Sequence, residues 1–278
     1  MRRIGVCSWS LLAERPDELA ERVRACGIGA VQLALDPLRD GRWDERQTMR
    51  VLERAGIGVL SGMMGMAGED YSTLESIRWS GGVLPAEHWP SNLQAARDNA
   101  LVASRLGIGL VTFHAGFLPH EPDDPLRRTM LDRIRLVARA FGDRDIAVAL
   151  ETGQEDAATL ESVLDELAGD GVGVNFDPAN MLLYGSGDPI AALRRLGRFV
   201  RQAHIKDATP TRVPGTWGEE VAVGMGRVDW EQLFGVLDEV APGVDVVIER
   251  EAGDRRVEDV RAALAMVKRF VPSGEGAA

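Results

Sequence analysis

Eight short apolar runs recur along the chain, each separated from the next by a longer stretch of helical period, and this alternation is the feature that most restricts the fold. The runs are RIGVC (3–7), AVQLAL (30–35), IGVLSG (57–62), GLVTFH (109–114), IAVALE (146–151), VGVNFD (172–177), VRQAHI (200–205) and VDVVIE (244–249). Strands alternating with helices imply βα units and a parallel sheet. Eight such units at about 35 residues each match a single (β/α)8 barrel. The helical stretches carry the expected punctuation. Pro16 and Asp17 open one helix and Gly27 ends it, Asp156 opens another, and Asp188 with Pro189 opens a third that Gly197 closes. No linker interrupts the series, so residues 1–271 read as one domain and the terminal PSGEGAA (272–278) as a disordered tail. Two connections, 63–91 and 206–229, exceed ordinary loop length, and long loops in compact domains tend to act as lids.

The formal net charge is −11. A chain this acidic, without a local basic stripe, repels phosphate backbones, so nucleic acid is not an expected partner. The opening MRRIGVCSWSLLA superficially resembles a secretory leader, but Ser, Gly and Cys dilute it and it reads as a first strand. No stretch reaches the roughly 18 apolar residues of a membrane span. Cys7 and Cys26, both in apolar surroundings, have neither the number nor the spacing of a disulfide framework or zinc ribbon, which points to the reducing cytoplasm.

In a barrel strand alternate side chains face the axis and the others face the helices. That parity makes Val148 and Leu150, Val172, Val174 and Phe176, Ala203 and Ile205, and Val244, Val246 and Ile248 outward. It leaves Glu151, Asp177, His204 and Glu249 inward, at the C-terminal ends of four consecutive strands, the face where such barrels place their chemistry. A single acidic residue at a strand end is usually a helix cap or a solvated loop residue. Three carboxylates and an imidazole converging together repel one another without a cation, and an oxygen-rich set with one histidine suits Mn²⁺ ahead of Mg²⁺ or Co²⁺, with Zn²⁺ also compatible.

These residues and their settings resemble the xylose-isomerase-like TIM barrel superfamily, and within it the sugar phosphate isomerases/epimerases, relatives of ketose 3-epimerases, inosose isomerases and hydroxypyruvate isomerases. The likeness rests on ALETG around Glu151, NFDPANMLLYG around Asp177, AHIKDA around His204, GMGRVDW at 224–230 and VIERE around Glu249, and extends to the loop STLESIRWSGGVLPAEHWPSNL. The resemblance implies that Glu151, Asp177, His204 and Glu249 hold one divalent metal and that Glu151 and Glu249 act as acid and base. It also implies a homodimer or homotetramer. Two positions depart from the family pattern and bear on the substrate: Asn180 stands where a histidine is common, and Gln32 replaces an acidic residue of strand two.

The chemistry expected is isomerisation or epimerisation of a keto sugar or related polyol, such as a cyclitol, by proton abstraction α to a metal-bound carbonyl through an enediolate. Dehydration or β-elimination on a keto-cyclitol or keto-glycoside uses the same first step and is the alternative. An abasic-site endonuclease is disfavoured by Asn180, by the absence of histidine at Gly62 and Met63, and by the acidic charge; a non-catalytic binding protein is disfavoured by the intact ligand set. His114, Lys206, Asn180 and Trp9 are the candidate substrate contacts, although Lys206 equally fits a loop lysine paired with Asp207, and Trp9 a core residue. Trp79, His88 and Trp89 on the third loop would close over substrate or fold that loop on itself. Gly253, Arg255 and Arg256 fit a solvated helix start better than a phosphate cradle.

Overall fold

The computed structural model describes residues 2–213 and 215–271, so the expected tail at 272–278 lies outside the described residues. Eight parallel strands close a barrel: β1 (Ile4–Cys7), β2 (Ala30–Ala34), β3 (Gly58–Met63), β4 (Leu110–Phe113), β5 (Ala147–Glu151), β6 (Val172–Phe176), β7 (Val200–Ile205) and, after two further strands, β10 (Asp245–Ile248), which pairs with β1 and β7. All eight expected runs are present. The two extra strands, β8 (Asp207–Thr209) and β9 (Glu219–Val221), form an antiparallel pair inside the long 206–229 connection. No helix among the described residues is long and apolar enough to cross a membrane.

Helices α1 (Pro16–Cys26), α2 (Asp36–Arg39), α3 (Glu45–Arg54), α4 (Leu74–Ser80), α5 (Trp89–Arg105), α6 (Pro125–Gly142), α7 (Ala157–Glu166), α8 (Pro178–Tyr184), α9 (Pro189–Leu196), α10 (Trp230–Val240) and α11 (Arg256–Val267) follow or interrupt the strands. Their starts reflect local chemistry. Asp156 accepts from Thr159 N and Asp188 from Ala191 N, each satisfying a donor that the first helical turn leaves free. Gly27 ends α1 at φ 75°, a conformation that favours glycine. Gly197 does not end α9 in this way. Its φ is −50°, the chain continues into a 3-10 turn, and a Cβ there would lie 2.4 Å from Val240, so close packing rather than a left-handed cap requires the glycine.

The outward residues Val148, Leu150, Val174, Phe176, Ala203, Ile205, Val246 and Ile248 all join the hydrophobic layer between barrel and helices. Full burial of one such aliphatic side chain contributes about 1.5–3 kcal/mol. Inside the barrel the layer below the mouth is polar instead: Gln32, Ser61, Thr112, Asn175 and Gln202 are all buried. Strand pairing shifts register beside Gln32 between β2 and β3 and beside Asn175 between β6 and β7, irregularities of the kind that re-aim side chains near functional sites.

Asp207 fixes the second long loop. Its carboxylate accepts from the backbone N–H groups of Ala208, Gly224, Gly226 and Val228 and from Trp230 Nε1, at 2.8–3.2 Å. Thus the GMGRVDW segment wraps one buried carboxylate. The loop's other anchor is Glu220, which accepts from Arg250 Nη1 and from the N–H groups of Glu251 and Ala252. Asp207→Ala should strand several buried donors and cost about 3 kcal/mol. Urea unfolding monitored by circular dichroism checks this, with an unchanged midpoint counting against the anchor.

Candidate metal centre and active site

Each of the four expected strand-end residues reaches the C-terminal mouth, and all are nearly or fully buried: Glu151 4%, Asp177 0%, His204 0% and Glu249 3% exposed. His204 Nδ1 lies 3.5 Å from Glu151 Oε1, 3.5 Å from Asp177 Oδ2 and 3.4 Å from Glu249 Oε2. One ligand atom from each of the four falls within 4.8 Å of the others, a spacing that could hold a metal ion. Asp177 serves two purposes. As the residue preceding α8 it accepts from Ala179 N (2.8 Å) and Asn180 N (2.9 Å) through Oδ1, which leaves Oδ2 facing the cluster. Asp177 Oδ2 and His204 Nδ1 are buried without a hydrogen-bond partner, the condition a cation would relieve. The donor set of three carboxylates and one imidazole therefore fits a divalent ion.

Other groups orient the glutamates. Glu249 Oε1 accepts from Trp9 Nε1 at 2.8 Å, and its Oε2 meets Lys206 Nζ at 2.9 Å. Glu151 accepts from Asn180 Nδ2 (2.9 Å) and Asn175 Nδ2 (3.2 Å), with His114 Nε2 at 3.7 Å. Burial opposes ionisation of Glu249, yet Lys206 and His204 hold its carboxyl well below the usual carboxylate range. Burial likewise opposes charge on His204, but Glu151 and Glu249 raise its pKa well above the ordinary histidine value. A cavity of about 560 Å³ opens above the cluster. Trp9, Tyr71, Tyr184 and Trp217 form aromatic walls, and Asp36, Glu69 and Glu251 add carboxylates.

The xylose isomerase-like TIM barrel model matches residues 20–270, which is most of the sequence. The chain belongs to this family. Among solved structures, a xylose isomerase domain protein from Planctomyces limnophilus shares 30% identity at a TM-score of 0.84, over 90% of this chain and 91% of its own. D-psicose 3-epimerase from Clostridium cellulolyticum H10, solved with D-tagatose, has 15% identity and a TM-score of 0.71 over 96% of this chain and 99% of its own. A xylose isomerase-like TIM barrel protein from Mycobacterium smegmatis in complex with magnesium has 16% identity and a TM-score of 0.71 over 97% and 98%. At these lower identities the likeness is one of fold. No curated protein matches the chain. The family agrees with the xylose-isomerase-like TIM barrel superfamily indicated by the sequence motifs.

The expected substrate contacts His114, Lys206, Asn180 and Trp9 all line the cavity. Lys206 does not pair with Asp207. It is buried between Glu249 and Glu251, with Asn180 Oδ1 at 3.3 Å, while Asp207 faces the backbone of its own loop. Trp9 follows β1 in a 3-10 turn, where its indole N–H holds Glu249. Of the third-loop aromatics, Trp79 is 62% exposed and lines a separate, smaller cavity, and Trp89 packs under the Arg133 guanidinium. His88 packs against Gly68, where a Cβ would lie 2.2 Å from the ring. The same loop instead sends Glu69 and Tyr71 into the main cavity. Arg256 donates to the carbonyls of Gly253, Arg250 and Glu251, so the start of α11 is occupied by its own side chain rather than arranged as a phosphate cradle. Cys7 is not in apolar surroundings. Its Sγ lies 3.5 Å from Gln32 Oε1 and 3.7 Å from His204 Nε2, inside the polar layer.

A proton on His204 Nδ1 competes with a cation for the same lone pair. The raised pKa of His204 in the metal-free protein means that divalent-ion binding should release about one proton at neutral pH and should strengthen as pH rises through the histidine's titration. Calorimetric titrations with Mn²⁺ in buffers of different ionisation enthalpy measure that proton. Affinity independent of pH between 6 and 8 would contradict it.

Proposed function

We propose that this protein is a divalent-metal-dependent isomerase or epimerase of an unphosphorylated keto sugar or cyclitol. The observation that carries the reading is the pair Glu151 and Glu249, set three strands apart at the mouth on either side of His204, each tethered by its own partners and each within reach of one cation position. An ion held by Glu151, Asp177, His204 and Glu249, with Mn²⁺ ahead of Mg²⁺, Co²⁺ and Zn²⁺, would supply the positive charge that makes an α-proton acidic by stabilising the enediolate. The residues do the rest. One glutamate, as the carboxylate, would remove the proton from the carbon next to the carbonyl; the other, entering the step in its protonated form, would deliver its proton to the opposite face in epimerisation, or to the adjacent carbon in isomerisation while the neighbouring hydroxyl proton passes to the former carbonyl oxygen, and proton exchange with solvent would reset the pair. Asn180 and Asn175 hold Glu151, and Trp9 and Lys206 hold Glu249, so neither carboxylate needs to reorganise when the proton moves. His114, Lys206 and Asn180 orient hydroxyl groups, and the aromatic walls exclude water from the bound ring.

The cavity's charge supports an unphosphorylated substrate. Among the described residues no arginine lines the cavity and the one lysine that does already lies between Glu249 and Glu251, while Asp36, Glu69 and Glu251 would repel a phosphoryl group. Both cysteines are free and buried, which suits the cytoplasm. Incubation of the Mn²⁺-loaded protein with unphosphorylated 2-keto sugars and inososes in D₂O tests the reading by NMR. Deuterium should enter at the α-carbon together with isomer formation. Chelation should abolish exchange, and Glu151→Gln or Glu249→Gln should slow it by about 10²–10⁴-fold. Loss of water or of an aglycone in place of isomer formation would assign the site to elimination, and no exchange on any keto sugar would overturn the enzyme reading.

A further inference from the structure

The polar layer beneath the mouth contains a side chain with no place in the proton transfer. Gln32 on β2 is fully buried, and its Oε1 lies 2.8 Å from Nε2 of His204, the ring nitrogen that points away from the carboxylate cluster. We propose that Gln32 is a positioning residue for the divalent ion: it accepts the Nε2–H of His204 and thereby keeps the Nδ1 lone pair directed at Glu151, Asp177 and Glu249. This inference rests on the metal-site reading above and assigns a task to a residue that never touches the ion.

The geometry gives the amide one sense. Gln32 Nε2 donates to Thr112 Oγ1 at 2.8 Å and lies 3.5 Å from the carbonyl of Gly62, which can only accept. Thr112 spends its own proton on Met63 Sδ, so it is free to accept from Gln32. Gln32 Oε1 is therefore left facing His204, with Cys7 Sγ at 3.5 Å as a second donor. Were the histidine proton on Nδ1 alone, two lone pairs would face each other across the 2.8 Å contact. A competing contact exists: Asn175 Nδ2 lies 3.0 Å from His204 Nε2 and would favour a lone pair there. A cation decides between them. Bound at Nδ1 it requires the lone pair on that atom, which leaves the proton on Nε2 and makes Gln32 its acceptor, while Asn175 Nδ2 keeps Glu151 Oε2 as its partner at 3.2 Å. The register shift beside Gln32 is consistent with a strand adjusted to aim this side chain under the ring.

Gln32→Met removes the acceptor at nearly constant volume, and Gln32→Glu keeps an acceptor of greater strength. Mn²⁺ affinity, measured by calorimetry on protein stripped with EDTA, should fall about 10–100-fold in Gln32→Met and should be at least as tight as wild type in Gln32→Glu. The melting temperatures of the stripped proteins, recorded in parallel, separate loss of a partner from loss of fold. Histidine side-chain ¹⁵N NMR of the Mg²⁺-loaded wild type should show His204 protonated at Nε2 only, a readout that holds even if a variant fails to fold. Equal affinity in wild type and Gln32→Met, equal loss in both variants, or a proton on Nδ1 in the Mg²⁺ form would each overturn the proposal. Failure of the wild type to bind Mn²⁺ or Mg²⁺ would instead remove the metal centre itself, and this inference with it.

Discussion

Three carboxylates and one imidazole have been withdrawn from water at the end of a barrel, within a few ångströms of one another. Burial makes each negative charge costly, and the neighbouring charges of like sign add to that cost. Lys206, 2.9 Å from Glu249 Oε2, offsets part of it. What they leave is an unpaired Asp177 Oδ2 and an unpaired His204 Nδ1 turned toward the same point. The trapped field organises the rest of the mouth: amide donors from Asn175 and Asn180 on Glu151, an indole N–H on Glu249, and a helix start that takes one oxygen of Asp177 while releasing the other.

The barrel supports this arrangement with two kinds of layer. Outward strand positions are aliphatic and seal against the helices, whereas the inward positions below the mouth carry amides and hydroxyls that satisfy one another across the axis. Ser61 donates to Gln202, Gln202 to Asn175, and Asn175 to Glu151; Thr112, Gln32 and His204 form a second line. A buried hydrogen-bonded network of this kind rigidifies its members, and rigidity at the strand ends is what the proposed proton transfer between Glu151 and Glu249 would require. The two long loops contribute differently. The 206–229 segment is bound tightly through Asp207 and Glu220, while the 63–91 segment supplies one wall of the cavity through Glu69 and Tyr71.

Much of this was readable in the sequence, for a specific reason. Strand residues alternate in direction, so a strand located to within a residue or so fixes which side chains enter the barrel, and Glu151, Asp177, His204 and Glu249 followed from parity alone. His114, Lys206 and Asn180 lie within a few residues of those strand ends and inherited their placement. Loops have no such period. Trp79 and Trp89 were expected either to close over substrate or to fold their loop on itself; the structure turns both away from the main cavity, and nothing in the sequence distinguished Glu69 and Tyr71 as the residues of that loop that reach it. Glu251 was passed over because it follows the last expected strand and pairs with Lys206 only through folding. Gln32 was correctly placed inward, but its partner lies 172 positions away in the sequence, a distance over which spacing conveys nothing.

The proposed chemistry of the mouth depends on a cation among these four side chains. Crystals grown with Mn²⁺ and measured near its absorption edge provide the most direct view. One anomalous peak per chain is expected at about 2.0–2.3 Å from His204 Nδ1 and from carboxylate oxygens of Glu151, Asp177 and Glu249. An ordered mouth with no peak at that position, or with the manganese bound elsewhere, would contradict it.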